Sequence, residues 1–400
     1  MKFIVFCLSL VLLSYLLSER AFRIRRFKIE SYLFFIYGLE FVLLGFFFGP
    51  QVANILSISV LNDFDVLIHI LLSCVGLLLG LQLRFSDIKI LAPSNYVIAI
   101  TQNIITFLVV SVFFFFSSYS FMTPKLSLMQ CLLLSLSIGV ASSCSTPKVV
   151  DSISRKFKAH GRVSRMLRYV STIDSIPAVL LFGLVVSLLH FNQFVGDAYI
   201  SGWQWFLTSL FLGAVLGFLF HVLFALRLSE NERLAMMVAL VVLLAGISTL
   251  LKLSALFCGT VAGLTLTNLN LQSDKIYRSL ALSEKPLYGL LLIISGSIWI
   301  PQLPLVLFSL LVFFSRYLGK VVGGKSALSL ANVRLDYPAR FGAALITQGG
   351  VAIAIALDFY SLYPSELGSV LVTIVLTTFL FNGLASIFTV RSFIKTLGEG

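Results

Sequence analysis

Long apolar stretches follow one another along this chain from its beginning to its end. Stretches of roughly 17 to 25 predominantly apolar residues suffice to carry an α-helix across a hydrocarbon core of about 30 Å. The sequence therefore predicts an all-α polytopic membrane protein.

The composition agrees with a chain that lies mostly in lipid. Hydrophobic residues make up 58% of the chain and charged residues only 12%, whereas soluble domains carry about 25% charged residues. No segment between the apolar stretches is long enough to fold alone. We therefore expect residues 1–400 to form a single transmembrane domain without a soluble regulatory domain. The five cysteines lie scattered in apolar segments, without the spacing of a disulfide framework or a metal site.

Clusters of charged residues, prolines and glycines divide the chain into thirteen predicted transmembrane spans, with boundary errors of about 2 to 4 residues. The spans lie near residues 2–18, 32–49, 65–83, 96–117, 127–146, 168–190, 203–226, 233–250, 254–270, 286–300, 303–323, 339–358 and 367–390.

Basic residues indicate the direction of these spans. Of the 29 lysine and arginine residues, all except Lys2, Lys125, Lys252 and Arg316 fall in the odd-numbered loops or in the C-terminal tail. Since basic residues near span ends stay on the cytoplasmic side, the N-terminus is predicted outside and the C-terminus cytoplasmic, in the cell (inner or plasma) membrane. The net charge of +12 then reflects orientation and contact with membrane lipid, and indicates no nucleic-acid partner.

Acidic residues inside spans are informative, because an ionised carboxylate at mid-bilayer costs about 2.5 to 3.5 kcal/mol even on the lenient insertion scale. Asp174 lies about two turns into span 6, and Glu40 lies midway along span 2. Asp358 falls at the outer end of span 12, where we expect an interfacial position. A structural carboxylate paired with a buried base is the alternative for Asp174, and Glu40 suits helix packing or a counter-charge as well as proton binding.

The surroundings of Asp174 are those of an ion site. Ser171, Asp174 and Ser175 follow the i, i+3, i+4 spacing of one helix face, which is therefore polar and small. Pro177 removes the backbone hydrogen bond to the carbonyl of Ile173 and so frees an oxygen within a turn of the carboxylate.

Span 11 carries basic residues where lipid disfavours them. The guanidinium of Arg316 keeps its proton, so it must meet an acid, carbonyls or water. We expect it to brace the protein core or to compete with a substrate cation for a carboxylate. Lys320, one turn nearer the cytoplasm, can extend its amine to the interface, and we expect it there, with a bracing or regulatory role.

Polar residues are predicted to interrupt two of the spans. Span 5 ends in small hydroxyl residues that include Ser145 and Thr146 and are closed by Pro147, and unwinding here exposes oxygens that can coordinate a cation. Span 12 contains Gln348 followed by paired glycines, which weaken a helix. Spans 2–6 and 9–13 form two five-helix sets that enter from opposite faces. As inverted repeats they would bring the two unwound segments together in a crossing.

The run from Ser145-Thr146-Pro147 through the basic loop 155–161 to Thr172-Ile173-Asp174 resembles the sodium/proton exchanger superfamily, and residues 76–84, 315–320 and 340–354 agree in order. The resemblance implies a dimerisation (panel) domain, a mobile core domain with elevator-like alternating access, and a homodimer. By this resemblance Asp174 matches the essential aspartate of the family, and Arg316 matches the basic residue of the core. Thr146 and its neighbours match the crossover of span 5, and Gln348 matches the crossover of span 12. Family members usually place Asp or Asn before that aspartate, where this chain has Ile173.

We therefore predict an antiporter that exchanges Na⁺, or K⁺ or Li⁺, for H⁺ without a cofactor. Asp174, with Ser171, Thr172, Ser145 and Thr146, would hold either the metal ion or the proton, and one titrating acid predicts electroneutral exchange. A current would instead indicate Glu40 as a second carrier.

Other functions remain open at this point. They are a channel or a non-transporting sensor on the same scaffold, and a sodium-coupled symporter of a small organic anion. An enzyme is not expected, since the four histidines show no nearby carboxylate, nucleophile or metal-ligand spacing. These histidines are His69, His160, His190 and His221.

Overall fold

The computed structural model describes residues 38–84, 93–122, 126–156, 161–189, 194–195, 198–199, 201–224, 226, 229–269, 277, 280, 284–363 and 366–396. The first predicted span and the beginning of the second lie outside the described residues, as do His160 and His190.

The described residues are almost entirely helical, and every predicted span from the second to the thirteenth is represented by one helix or by two. The helices are α1 (Leu39–Phe48), α2 (Ile58–Asp63), α3 (Asp65–Leu81), α4 (Pro93–Phe121), α5 (Leu128–Ser143), α6 (Pro147–Lys156), α7 (Arg162–Ile173), α8 (Ser175–Leu188), α9 (Gly202–Phe224), α10 (Glu230–Leu250), α11 (Ala255–Leu269), α12 (Glu284–Ile298), α13 (Leu303–Leu330), α14 (Pro338–Ala344), α15 (Gly350–Leu362) and α16 (Glu366–Thr396). Two short strands, β1 (Phe194–Val195) and β2 (Ala198–Tyr199), pair antiparallel between α8 and α9.

Seven stretches of the described residues are long and apolar enough to cross a membrane, by length and composition. They are Pro93–Phe121, Leu128–Ser152, Arg162–Leu188, Gly202–Phe224, Asn231–Leu250, Leu303–Leu330 and Glu366–Ile394. Five further apolar helices are shorter, with 10–17 residues, and they include α1, α3, α11 and α15. The pattern of predicted spans is therefore recovered, although several spans are helices shorter than a bilayer is thick.

Three spans are divided into two helices. Span 5 is interrupted at Cys144–Thr146 and restarts at Pro147, a favoured first helical residue because its missing N–H needs no partner there. The basic segment 148–167, expected to be a loop, is therefore helical through Lys156 and again from Arg162. Span 6 is interrupted at Asp174, three residues before Pro177, and span 12 is interrupted between α14 and α15.

One group of helices packs through very close backbone contacts. We call α1, α3, α10, α11 and α12 the panel helices; α3 packs on α10 and α11, and α1 packs on α12. A Cβ atom added to Gly80 would lie 2.8 Å from the Cα of Gly263, and one added to Gly263 would lie 3.0 Å from the Cα of Gly80. Such contacts between small residues are typical of tightly associated membrane helices.

The remaining long helices form a second group. We call α4–α8 and α13–α16 the core helices: α4 packs along α13 and α5, and α16 packs on α13 and α15. Helix α9 lies between the two groups, in contact with α8 and α11.

The packing repeats itself within the chain. The contact between α3 and α11 has its counterpart between α12 and α1, and the contact between α5 and α8 has its counterpart between α15 and α16. Each counterpart lies seven spans away along the chain. Since successive spans cross in opposite directions, an odd shift reverses the direction of crossing, so the two five-span sets are inverted repeats.

Candidate functional site

The interruptions of spans 5 and 12 lie against each other in the middle of the core helices. The backbone N–H of Thr146 donates to the carbonyl of Thr347 at 3.2 Å, and the Thr347 hydroxyl donates to the carbonyl of Thr146 at 3.1 Å. The Ser145 hydroxyl donates to the carbonyl of Leu345 at 2.9 Å. Unwound residues of each span thus satisfy polar backbone groups of the other, as buried irregular backbone requires.

Asp174 lies directly beside this crossing and is fully buried. Its Oδ1 accepts a hydrogen bond from the backbone N–H of Ser145 at 3.0 Å, and its Oδ2 accepts one from Nε2 of Gln102 at 3.0 Å. Nδ2 of Asn103 donates to its backbone carbonyl at 2.8 Å. The carboxylate is therefore held between the interruption of span 5 and the middle of α4.

Lys320 is part of the site, which corrects the expectation that its amine lies at the membrane interface. The side chain is fully buried, and Nζ donates to the Ser143 carbonyl at 2.6 Å, the Ser145 hydroxyl at 2.8 Å and Oε1 of Gln102 at 3.0 Å. Oδ2 of Asp174 lies 3.5 Å from the same nitrogen. The unwound segment supplies oxygens deep in the protein, so the amine has no need to reach water.

Arg316 joins the two interrupted spans. Its Nη2 donates to the carbonyl of Cys144 at 2.7 Å and to the carbonyl of Thr347 at 3.3 Å, and the side chain is fully buried. The guanidinium thus meets carbonyls, one of the partners expected for it. Its position suits the bracing of the crossing better than direct competition for Asp174.

Gln348 fixes the interruption of span 12 to two other helices. Its Nε2 donates to the carbonyl of Ala141 on α5 at 3.2 Å, and its Oε1 accepts a hydrogen bond from Nδ2 of Asn382 on α16 at 2.7 Å. Gln348 and Asn382 are both fully buried. Both hydrogen-bonding ends of the Gln348 amide are therefore used.

A cavity of about 340 Å³ leads away from the crossing. Ser145, Thr146, Thr172, Ser175 and Gln348 line its inner part, and Val75, Gln82, Lys148, Glu284 and Tyr288 are among the residues that line the rest. Nζ of Lys148 lies 2.9 Å from Oε1 of Glu284, so an ion pair joins core helix α6 to panel helix α12 there. Gln82, Lys148, Glu284 and Tyr288 lie at or near span ends that are predicted to be cytoplasmic, whereas Val75 lies in the middle of α3.

Not every predicted site residue meets Asp174. The hydroxyls of Ser171 and Thr172 both donate to the carbonyl of Arg168 in their own helix, each at 2.9 Å. Glu40 lies on panel helix α1, and neither of its carboxylate oxygens has a hydrogen-bond partner among the described residues. No contact of the described residues links Glu40 to Asp174.

Two expectations about residues near the outer ends of spans are wrong. Asp358 is fully buried instead of interfacial, because its carboxylate accepts hydrogen bonds at the beginning of α11 from the Ser254 hydroxyl and, at 3.2 Å, from the Ala255 N–H. His69 does have a carboxylate nearby: Asp65 precedes it by one helical turn, and its Oδ1 lies 3.4 Å from Nδ1 of His69.

The sequence reasoning missed the amide residues of the site. Gln102 and Asn103 lie in the middle of α4, and Asn382 lies in the middle of α16, all of them fully buried. Strongly polar amides at the centre of long apolar helices are a signal that could have identified them, since such groups need partners inside the protein.

The fold and the sequence have known relatives. The sequence model of the family described as "Sodium/hydrogen exchanger, transmembrane" matches residues 8–391. No curated protein sequence gives a significant match to the chain.

Two structures of the sodium proton antiporter MjNhaP1 from Methanocaldococcus jannaschii have a similar architecture. The structure at pH 8 has a TM-score of 0.69 and 16% sequence identity, covering 99% of this chain and 99% of that chain. A structure from an electron-microscopy map has a TM-score of 0.58 and 15% identity, covering 99% of this chain and 96% of that chain. At these identities the likeness concerns the fold, and it confirms the predicted arrangement of inverted repeats with crossed, discontinuous helices.

Proposed function

The chain belongs to the sodium/hydrogen exchanger family, and from this membership and the geometry around Asp174 we propose that it is a secondary active antiporter that exchanges a monovalent cation for H⁺. Na⁺ is the first candidate for the cation, and K⁺ and Li⁺ are the others. The observation that carries the proposal is the set of oxygens that surrounds Nζ of Lys320 beside Asp174.

Four oxygens of three chemical kinds face this nitrogen: amide carbonyl, hydroxyl and carboxylate. They are the carbonyl of Ser143 at 2.6 Å, the hydroxyl of Ser145 at 2.8 Å, the amide oxygen of Gln102 at 3.0 Å and the carboxylate of Asp174 at 3.5 Å. Carbonyl, hydroxyl and carboxylate oxygens are also the groups that replace the hydration shell of a dehydrated alkali-metal ion. We infer that the ammonium occupies the place that the transported cation takes after displacing it.

Competition for this place couples the two ions. A metal ion next to Asp174 would leave the Lys320 ammonium as a second buried cation beside one carboxylate, and a buried charge without a partner is strongly unfavourable. Release of a proton removes that charge. Since the proton of two closely interacting groups belongs to the pair, we assign it to Asp174 and Lys320 together.

The charge balance then favours one-for-one exchange. The proton-loaded pair, a carboxylate with an ammonium, is neutral. The metal-loaded site, a carboxylate with a metal ion and a neutral amine, is neutral as well. We therefore propose that transport is electroneutral, as the sequence alone had suggested from a single acid.

Access to the site would alternate between the two sides of the membrane. The cavity lies between core residues such as Thr146 and panel residues such as Val75 and Tyr288, and it reaches the crossing from the predicted cytoplasmic side. An elevator-like displacement of the core helices along the panel helices would close this cavity and expose the site to the other side. The family resemblance supports a homodimer formed through the panel helices.

Ion exchange by the purified protein in lipid vesicles tests the proposal. A pH-sensitive dye inside the vesicles would report H⁺ movement after a Na⁺, K⁺ or Li⁺ gradient is imposed. We expect exchange in the wild type, no exchange above protein-free vesicles in Asp174→Asn, and wild-type rates in Asp336→Asn, an exposed acid in the loop between α13 and α14. Equal rates for wild type and Asp174→Asn would contradict the proposal.

The same vesicles distinguish the other functions. A channel would pass cations without moving H⁺, a symporter would require an organic anion for cation uptake, and a sensor would move neither ion. A steady current in vesicles free of ionic leak would contradict electroneutral exchange while leaving antiport intact.

A further inference from the structure

Asp358 connects the core helices to the panel helices on the side of the site away from the cavity. It lies on core helix α15, and its carboxylate accepts hydrogen bonds from the Ser254 hydroxyl and from the N–H of Ala255 at the beginning of panel helix α11. The Ser254 oxygen in turn accepts a hydrogen bond from the N–H of Phe257 at 3.0 Å. Two side chains thus cap the first turn of α11, one from its own chain segment and one from the other helix group.

The distance of the Asp358 contact from the crossing follows from the geometry of α15. Asp358 is eight residues beyond Gly350, so it lies about 12 Å along α15 from the crossing at a rise of about 1.5 Å per residue. Ser254 follows the short turn between α10 and α11, on the side predicted to be outside the cell. The ion pair of Lys148 and Glu284 near the cavity joins the same two helix groups on the opposite side.

These two polar contacts between core and panel helices differ in burial. Lys148 and Glu284 keep 51% and 35% of their side-chain surface exposed, so water and salt weaken their attraction. Asp358 is fully buried and Ser254 is 4% exposed. His69 on panel helix α3 is also buried and lies within electrostatic range of Asp358. Separation on this side would leave a buried carboxylate and a helix N-terminus without partners until water entered.

We propose that Asp358 and Ser254 form an outer lock between the core and panel helices. The lock stabilises the state in which the cavity is open toward the predicted cytoplasmic side, and it opens each time the site turns outward. Asp358 is a positioning residue in this scheme, because it touches neither Asp174 nor the cavity. The inference rests on the alternating access proposed above.

Reversible cross-linking tests whether the contact opens during transport. In a background with the five native cysteines replaced by alanine, Ser254→Cys and Asp358→Cys would be bridged by a short bis-methanethiosulfonate, which forms a disulfide with each thiol and releases a sulfinate from each end. We expect bridging to stop exchange and a reductant to restore it. The control pair is Ser309→Cys with Thr378→Cys, which joins two core helices whose Thr378 hydroxyl donates to the Ser309 carbonyl at 3.3 Å. Bridging of this pair should leave exchange unchanged, and continued exchange in the bridged 254/358 protein would overturn the proposal.

A labelling experiment gives a second readout that needs no ion exchange. Val75→Cys places a thiol on panel helix α3 in the cavity wall. A membrane-impermeant maleimide added on the cytoplasmic side should label it about tenfold more slowly when Asp358→Ala shifts the protein toward the outward state. Ser254→Ala, a smaller change at the same contact, should act in the same direction.

Ser361→Ala is the matched control for the labelling experiment, since among the described residues the Ser361 hydroxyl donates to the Asp358 carbonyl within α15, at 2.9 Å, and to no panel helix. Equal labelling rates in all variants would overturn the lock. A loss of exchange in Asp174→Asn would not affect this result, so failure of the lock and failure of the proposed ion site are distinguishable.

Discussion

The side-chain nitrogen of Lys320 lies 3.5 Å from a carboxylate oxygen of Asp174, and neither side chain is exposed. A charge-assisted hydrogen bond between such groups is usually about 2.7 to 2.9 Å long. The pair is held wider because the shorter hydrogen bonds of the ammonium go to Ser143, Ser145 and Gln102. The ammonium is therefore bound as a cation by several oxygens, and its contact with the carboxylate is the longest of the four.

Removal of the Lys320 ammonium should lower the stability of the protein, because the buried Asp174 carboxylate loses its partner. Lys320→Met leaves the buried Asp174 without the ammonium that contacts it, so we expect a loss of about 3 to 5 kcal/mol in the free energy of unfolding. The double variant Lys320→Met with Asp174→Asn should lose less than the sum of the single variants, because neither charge of this pair is then left without its partner. Unfolding in detergent measures all three. Lys325→Met, an exposed lysine on the same helix, is the control, and additive losses would show that the two residues do not interact.

Arg316 should matter for the crossing more than for ion binding. Arg316→Met removes this donor from the carbonyls of Cys144 and Thr347. The Thr347 carbonyl keeps the hydrogen bond from the Thr146 N–H, so we expect a destabilisation of about 1 to 3 kcal/mol, mainly from the Cys144 carbonyl. Amide hydrogen exchange should become faster in both interruptions, at 144–147 and at 345–349. Arg334→Met changes an exposed arginine and should have no such effect. Faster exchange in only one interruption would argue against the bridging role.

Asn382 should hold the interruption of span 12 in place through Gln348. Asn382→Leu is close in volume but donates no hydrogen bond to Oε1 of Gln348, so we expect about 1 to 3 kcal/mol of destabilisation and slower antiport. Hydrogen exchange at 345–349 should rise while that at 144–147 changes less. Thr378→Val, one turn away on α16, removes a hydrogen bond that does not involve the interruption. The role of Asn382 is disproved if both variants affect 345–349 equally.

Gly350 should be required for the approach of the core to the panel. A Cβ atom added there would overlap the ring of Tyr288 on α12. We expect Gly350→Ala to slow exchange, and Gly350→Ala with Tyr288→Ala to recover part of the rate because the ring is removed. Gly246→Ala is a matched control, since a Cβ atom at Gly246 meets nothing within 4 Å. The rates of cation/H⁺ exchange in vesicles measure these effects. A wild-type rate in the single variant Gly350→Ala would show that the close contact of Gly350 with Tyr288 does not limit exchange.

Several features of the protein follow from local sequence. Helical spans depend on the length of an apolar stretch, and the pattern of basic residues depends on the loops between the spans, so both can be read residue by residue. The interruptions of spans 5 and 12 are also local, because Pro147 and the paired glycines at 349 and 350 weaken a helix wherever they occur. The crossing itself is predicted from the inverted repeats and the family resemblance, and Asp174 from its place inside an apolar span.

Tertiary structure alone decided which partners surround Asp174. Arg316 and Lys320 are one turn apart on the same helix, and the sequence favoured the arginine as the residue of the core. The depth at which α13 lies against the interruption of span 5 brings the lysine to the carboxylate and the arginine to the carbonyls of Cys144 and Thr347. The contact of Gln102 with Asp174 likewise joins residues that are 72 positions apart in the chain. The contact of Asp358 with Ala255, at the beginning of α11, joins residues that are 103 positions apart. Periodicity within one helix carries no information about such contacts, since they are fixed only when the separate helices pack together.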